Sequence, residues 1–296
     1  MRKKLAERVL AAVLLIGAVI LAVVGLANIR GESKKYDIVT TNFVYFDIAR
    51  AITGDAERVR MLMPTGTEAH ELEPTPEDIV SIKNAKLFIY NGGEDEAWVE
   101  ELLGDVPREQ VLKMMGLTKI VNDDEHIWTS PVKMVALAEG VRDKLAAIFP
   151  DEATKFTENS AKYTARAWEL DREIREVVSS SPRETLVFGD RFPFLYFIQE
   201  YELKYAAAFD GCDEHTEVNA KTLAELIEKA REANVKVILK DGLSSNKIAQ
   251  TIADEVSGVV REFSAAHNVS KEDFEAGVTY LDILEKNIGV LREALK

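Results

Sequence analysis

The sequence predicts an α/β fold of two lobes, each with a mostly parallel sheet, arranged around one long helix. Three observations point to it. Short apolar runs alternate with helical patterns from residue 36 onward; glycine, proline or charged turns bound those runs; and the stretch 151–181 contains neither glycine nor proline.

In chain order, DIVTT at 37–41 reads as a buried strand and NFVYFDIARAI at 42–52 as the helix after it. RVRMLM at 58–63 and KLFIY at 86–90 are further strands, with PEDIVSIK at 76–83 helical between them, and a helix is expected over 131–148. Beyond the glycine-free stretch come strands at 185–188, 235–239 and 258–263, interleaved with helices at 223–233 and 247–256. Such alternation builds parallel sheets.

Within 151–181, Phe156, Tyr163, Ala167, Leu170, Ile174 and Val178 recur at three-, four- or seven-residue steps, which places them on one helical face. A helix of that length spans roughly 40 Å at about 1.5 Å per residue. It is read either as a stiff strut joining two lobes or as one long helix inside a single domain. The expected organisation is an N-terminal membrane anchor or signal segment at 1–30, an N-terminal lobe at 31–150, the linking helix at 151–181 and a C-terminal lobe at 182–296.

The 296 residues are 47% hydrophobic and 30% charged, which suits a folded chain and argues against wholesale disorder. The single cysteine, Cys212, rules out an intramolecular disulfide and any cysteine-built zinc or iron–sulfur centre held by this chain alone. A net charge of −14 argues against nucleic acid as a partner and suits a cationic ligand better.

Charge is unevenly placed. Arg2, Lys3, Lys4, Arg8 and Arg30 face only Glu7 in the first thirty residues, and the rest carries 32 basic against 50 acidic residues, a net of −18. The run VLAAVLLIGAVILAVVGLANI at 9–29 has no charge and only Asn28 is polar, close to the roughly 20 residues that cross a bilayer as a helix. It is read as an uncleaved anchor or, through the small residues Gly25-Leu26-Ala27, as a cleaved signal segment. Either way the basic end stays cytoplasmic and Glu32 onward lies outside. No cysteine follows the run to carry a lipid.

The chemistry concentrates on four histidines. His70 lies in MPTGTEAHELEPTPED, His126 in NDDEHIWTSP, His215 in GCDEHTEVNA and His267 in REFSAAHNVS. His70 and His267 follow expected strands, and ligands of α/β lobes bind outside the carboxyl ends of strands. One such histidine alone signifies little, but several together suit a metal site, since neutral imidazole is a good zinc ligand.

The segments GTEAHELEPTPEDI, AKLFIYNGGEDEAW, DEHIWTSP and GVTYLDILEKNIGVLREAL, in that order, resemble the zinc/manganese substrate-binding proteins of ABC transporters, the cluster A-I metal-binding family. The similarity runs over Tyr36–Lys296. It implies two α/β lobes joined by a long backbone helix, with a metal cleft between them held by two N-lobe histidines and two C-lobe residues. On that resemblance His70 and His126 are the first two ligands.

The third position is irregular. FGDRFPFLYF puts Arg191 on the family position and Asp190 one residue ahead; an arginine is always protonated and cannot ligate a cation, so Asp190 is expected, with helix capping or pairing with Arg191 as its blander role. The family's aspartate after the last strand is replaced by the 264–267 segment, where His267 is the expected fourth ligand. His215, flanked by Asp213, Glu214 and Glu217 ahead of a helix, falls where the family usually has no ligand; it reads as a helix-entry residue or a secondary surface contact, with metal ligation as the alternative. A second cysteine near Ala265 and Ala266 is what the resemblance would supply as a partner for Cys212; without it the thiol is free, and either buried or reactive.

His70, His126, Asp190 and His267 give three nitrogens and one oxygen, a zinc-like tetrahedral set, whereas manganese prefers more oxygen. The resemblance therefore implies an extracytoplasmic monomer that captures a divalent metal, Zn2+ ahead of Mn2+, and delivers it to an ABC permease. The alternatives are the same role for manganese, a membrane-tethered metal-dependent adhesin or interaction module, or capture of a metal chelate or small organic solute in the same cleft. A zinc hydrolase is disfavoured, because there is no H-E-x-x-H helix and no evident general base; the chain is expected not to be an enzyme.

Overall fold

Alternate residues of a strand point to opposite faces, and here both faces are apolar, so each sheet must be covered on both sides. The computed structural model describes residues 35–67, 72–209 and 219–296. The apolar run at 9–29, His70, Cys212 and His215 lie outside them. Residues Tyr36–Lys296 form one compact unit.

The N-terminal half contains β1 (Ile38–Thr40), α1 (Phe43–Thr53), β2 (Val59–Met61), α2 (Pro76–Asn84), β3 (Leu87–Tyr90), α3 (Ala97–Leu102), β4 (Val111–Lys113) and α4 (Pro131–Ile148). After α5 (Ala153–Ser180) come β5 (Thr185–Phe188), α6 (Leu195–Glu200), β6 (Lys204–Ala207), α7 (Ala220–Glu232), β7 (Val237–Lys240), α8 (Lys247–Glu255), β8 (Val259–Glu262), α9 (Lys271–Glu275) and α10 (Tyr280–Ala294). The described strands make two four-stranded parallel sheets of the same topology, β2-β1-β3-β4 and β6-β5-β7-β8.

The expected α/β class with two parallel sheets and a long helix is what the structure has. Two strands escaped the sequence reading, β4 and β6. Both are edge strands with partly exposed residues, VLK and KYAA, so neither shows the continuous apolar run that marks a central strand.

Strand alternation explains how the halves join. Leu87 and Ile89 of β3 enter the same apolar cluster as Leu186 and Phe188 of β5 and Leu239 of β7, whereas Phe88 and Tyr90 enter a separate cluster on the far face of the first sheet, and Val187 and Ile238 one on the far face of the second. A single apolar layer thus runs between the inner faces of both sheets. Helix α5 lies along it, burying Phe156, Tyr163, Ala167, Leu170 and Ile174, and packs against α4, α1 and α10. Its 28 residues span about 42 Å at about 1.5 Å per residue.

Polar side chains start the helices where the sequence leaves backbone N–H groups without partners. Asn42 caps α1, Ser130 caps α4 ahead of Pro131, and Thr75 with Asp78 and Thr279 with Asp282 form capping boxes on α2 and α10. No helix among the described residues is long and apolar enough to cross a membrane.

Candidate metal centre

The carboxyl ends of β1 and β3 open onto a cleft walled by Asn42, Asn91, Asp95, Glu96, Glu125, His126 and Trp128 from the N-terminal half and by His267 from the C-terminal half. Asn91 anchors the wall: its side-chain amide donates to the Glu125 carbonyl at 3.0 Å and its oxygen accepts from the buried Tyr45 hydroxyl. The turn after it has to be glycine. Gly93 has φ +118°, and a Cβ there would stand 2.2 Å from the Glu125 carboxyl carbon.

Asp95, Glu96 and Glu125 are the acids of this wall. Burial pushes the Glu125 carboxyl up to about 7, helped by the negative charge of Asp95, while the backbone N–H groups of Glu94 and Asp95 pull the other way. Burial likewise raises Glu96, whose carboxylate accepts from Gly92 N at 2.8 Å.

His126 is buried and fixed locally. Asp124 accepts both from the His126 backbone N at 2.8 Å and from its Nδ1 at 3.0 Å. A proton held on Nδ1 leaves the lone pair on Nε2, the arrangement in which a carboxylate orients a metal-binding imidazole. Thr129 donates its hydroxyl to the His126 carbonyl at 2.9 Å, which closes the turn.

His267 arrives from beyond β8 through Ala266, whose φ is +60°. Its ring meets that of His126 edge to face, with centroids 4.7 Å apart, and both pack against Trp128, at 5.0 and 5.5 Å. The His267 backbone is tied across the molecule as well, its carbonyl accepting from Phe43 N at 3.2 Å. Next to it, the Asn268 amide donates to the carbonyls of Pro64 and Thr67 at 2.7 and 2.9 Å, and Val269 O accepts from Gly66 N at 2.8 Å. Residues 64–67, which lead in sequence toward His70, are therefore held beside His267, and Leu72, two residues after His70 in sequence, also lines the cleft.

The structure thus brings His126 and His267 together and does not place Asp190 in the cleft wall. Asp190 Oδ2 accepts from Asp241 N at 2.9 Å and from the Ser244 hydroxyl, and its Oδ1 accepts from Arg191 N at 2.8 Å. Among the described residues, no three His, Cys, Asp or Glu side chains are grouped to hold a metal ion.

Sequence reasoning missed Asp241, although its position directly after β7 is the signal that could have found it. Its Oδ2 stands 4.0 Å from His267 Nδ1, and its Oδ1 accepts from Ala265 N and Gly242 N at 2.7 and 2.8 Å. Burial raises the Asp241 carboxyl, and those two amides act against the rise.

Two parallel sheets, a long helix along their shared core and a cleft at the strand ends with a histidine from each half define a solute-binding protein of the α/β type. A family model described as zinc-uptake complex component A, periplasmic, matches residues 38–294, and the chain belongs to that family. It is 28% identical over 294 residues to the zinc-binding lipoprotein AdcA of Streptococcus pneumoniae, covering 92% of this chain but only 58% of that protein. It is 28% identical over 292 residues to the high-affinity zinc uptake system protein ZnuA of Bacillus subtilis, covering 92% of this chain and 90% of that one. The crystal structure of the Zn(II)-bound ZnuA-like domain of S. pneumoniae AdcA superposes with a TM-score of 0.77 at 30% identity, over 88% of this chain and 99% of that chain.

Proposed function

We propose that this protein captures a zinc ion in the cleft between its two sheets, on the extracytoplasmic face of the cell membrane, and hands it to an ABC permease. The observation that carries the reading is the His126–His267 pair, one imidazole from each half, 4.7 Å apart between ring centroids. His70 is proposed as the third nitrogen donor, because Pro64 and Thr67, which precede it in sequence, are held beside His267 by Asn268. Three imidazoles favour zinc over manganese, which prefers oxygen. The zinc-binding names of the relatives, and the family's description as a periplasmic uptake component, support the same reading.

Asp190, the oxygen donor expected from sequence, is proposed in a supporting part. Both of its oxygens are engaged by Asp241, Ser244 and Arg191, so the fourth position on the metal is left to water or to another oxygen. The run at 9–29 is proposed to hold the N-terminus at the membrane, as an anchor or before cleavage, and the lobe limits 31–150 and 182–296 are proposed around α5. The role is one of binding, not catalysis, and the protein is proposed to work as a monomer.

The test is a zinc and manganese titration of the purified full-length chain in detergent, with His70→Ala and Asp190→Asn beside the parent. One tightly bound zinc that displaces manganese, lost in His70→Ala and kept in Asp190→Asn, is the expected result. A preference for manganese would reassign the metal, and no uptake of either would leave the family fold without the capture function.

A further inference from the structure

We propose that Asp241 is the positioning residue for His267, the counterpart in the C-terminal half of what Asp124 does for His126. The inference rests on zinc capture by the histidines. In both halves a carboxylate faces the same ring nitrogen: Asp124 Oδ1 lies 3.0 Å from His126 Nδ1, and Asp241 Oδ2 lies 4.0 Å from His267 Nδ1. A proton on Nδ1 in each ring leaves Nε2 as the metal-side nitrogen in both.

The Asp241 carboxylate is built into place. Its Oδ1 is held by Gly242 N and Ala265 N, the second of which belongs to the segment that carries His267. Its backbone N–H donates to Asp190, which also takes the Ser244 hydroxyl, so the end of β5 fixes the end of β7. Lys240 Nζ donates to the carbonyls of Asp241, Gly242 and Ser244 at 3.0, 2.6 and 3.2 Å and holds the turn from beneath. With one oxygen anchored in this way, the other is directed at His267.

At 4.0 Å the pair interacts through charge, and zinc on Nε2 would make the imidazole ring more positive and its Nδ1–H a stronger donor. Asp241 therefore favours the zinc-loaded state over the empty one. A carboxylate that accepts the other ring N–H of a metal-bound histidine changes affinity by about 10- to 100-fold when removed, and a charge pair at 4.0 Å is expected toward the lower end of that range.

The experiment compares the full-length chain and Asp241→Asn in detergent, by zinc competition against a chelator, by the visible spectrum of the cobalt(II) form and by melting of the metal-free protein. Asparagine keeps an oxygen for the two amides and removes the charge. Expected are zinc binding weaker by about 10- to 100-fold, an unchanged cobalt band pattern and an unshifted metal-free melt. Unchanged affinity overturns the inference, and so does a changed cobalt pattern, which would make Asp241 itself a ligand. Long-range proton–nitrogen correlation of the zinc-loaded parent needs no variant: a proton on Nδ1 of His267 is expected, and metal on that nitrogen overturns the assignment. A parent chain that takes up no zinc fails at the capture reading instead, which separates the two.

Discussion

The Trp128 indole N–H donates to the carbonyl oxygen of Ala265 at 2.7 Å, joining the segment of one candidate ligand, His126, to that of another, His267. Tyr280 strengthens the joint, donating its hydroxyl to the Trp128 carbonyl at 2.7 Å, while its backbone N–H reaches Asp47 of α1 at 3.1 Å. The two halves are thus hydrogen-bonded to each other at the cleft itself. Trp128→Phe leaves the Ala265 carbonyl buried and without that donor, which costs about 1–3 kcal/mol. A lower denaturant midpoint with an unchanged slope is expected, and an unchanged midpoint would show that the contact does not hold the halves together.

Zinc affinity should depend on both described histidines. Removing a residue that only orients a ligand costs about 10- to 100-fold, so removing a ligand should cost more. His126→Ala and His267→Ala are each expected to weaken zinc by more than about 100-fold in a competition titration. If either retains parental affinity, that residue is not a ligand.

Bound zinc should also raise thermal stability, since a ligand that binds only the folded state adds about 2.7 kcal/mol at 100 times its dissociation constant. Stripping the metal with a chelator is therefore expected to lower Tm, and adding zinc back to restore it. The His126→Ala variant should show neither change.

Glu125 makes the stability of the metal-free protein fall as pH rises. Its carboxyl is pushed up to about 7 from an ordinary 4.5, so between those values the folded state holds a proton that the unfolded state has released. Stability falls wherever the folded state binds more protons and pH increases. The parent should lose more Tm than Glu125→Gln between pH 5 and pH 8; parallel profiles would show that Glu125 titrates normally.

Gly93 tests the turn behind Glu125. Alanine there meets both a backbone conformation that L residues rarely adopt, φ +118°, and the Glu125 carboxyl at 2.2 Å. Gly93→Ala should destabilise by about 1–3 kcal/mol, the usual cost of a strained backbone position, read as a lower Tm. Gly104→Ala, where a Cβ meets nothing within 4 Å, is the control expected to stay near the parent.

Much of this molecule is legible along the chain. The central strands announce themselves as apolar runs, the long helix by its repeat and its lack of glycine and proline, and His126 by the acids and the Trp-Thr-Ser-Pro segment around it, because each of these signals is local. Asp124 belongs to the same local logic, two residues from the ring that it holds. What only the tertiary structure decided are relations between segments that the sequence keeps far apart. The edge strands β4 and β6 exist because β3 and β5 offer them partners, not because VLK or KYAA demands it. Asp190 stands beside the family position in the sequence, and only the fold shows that its oxygens accept from the neighbouring β7 turn. Asp241 carried no motif at all; it faces His267 because parallel strands β5, β7 and β8 deliver their carboxyl ends to one edge of the sheet, where side chains from separate turns meet.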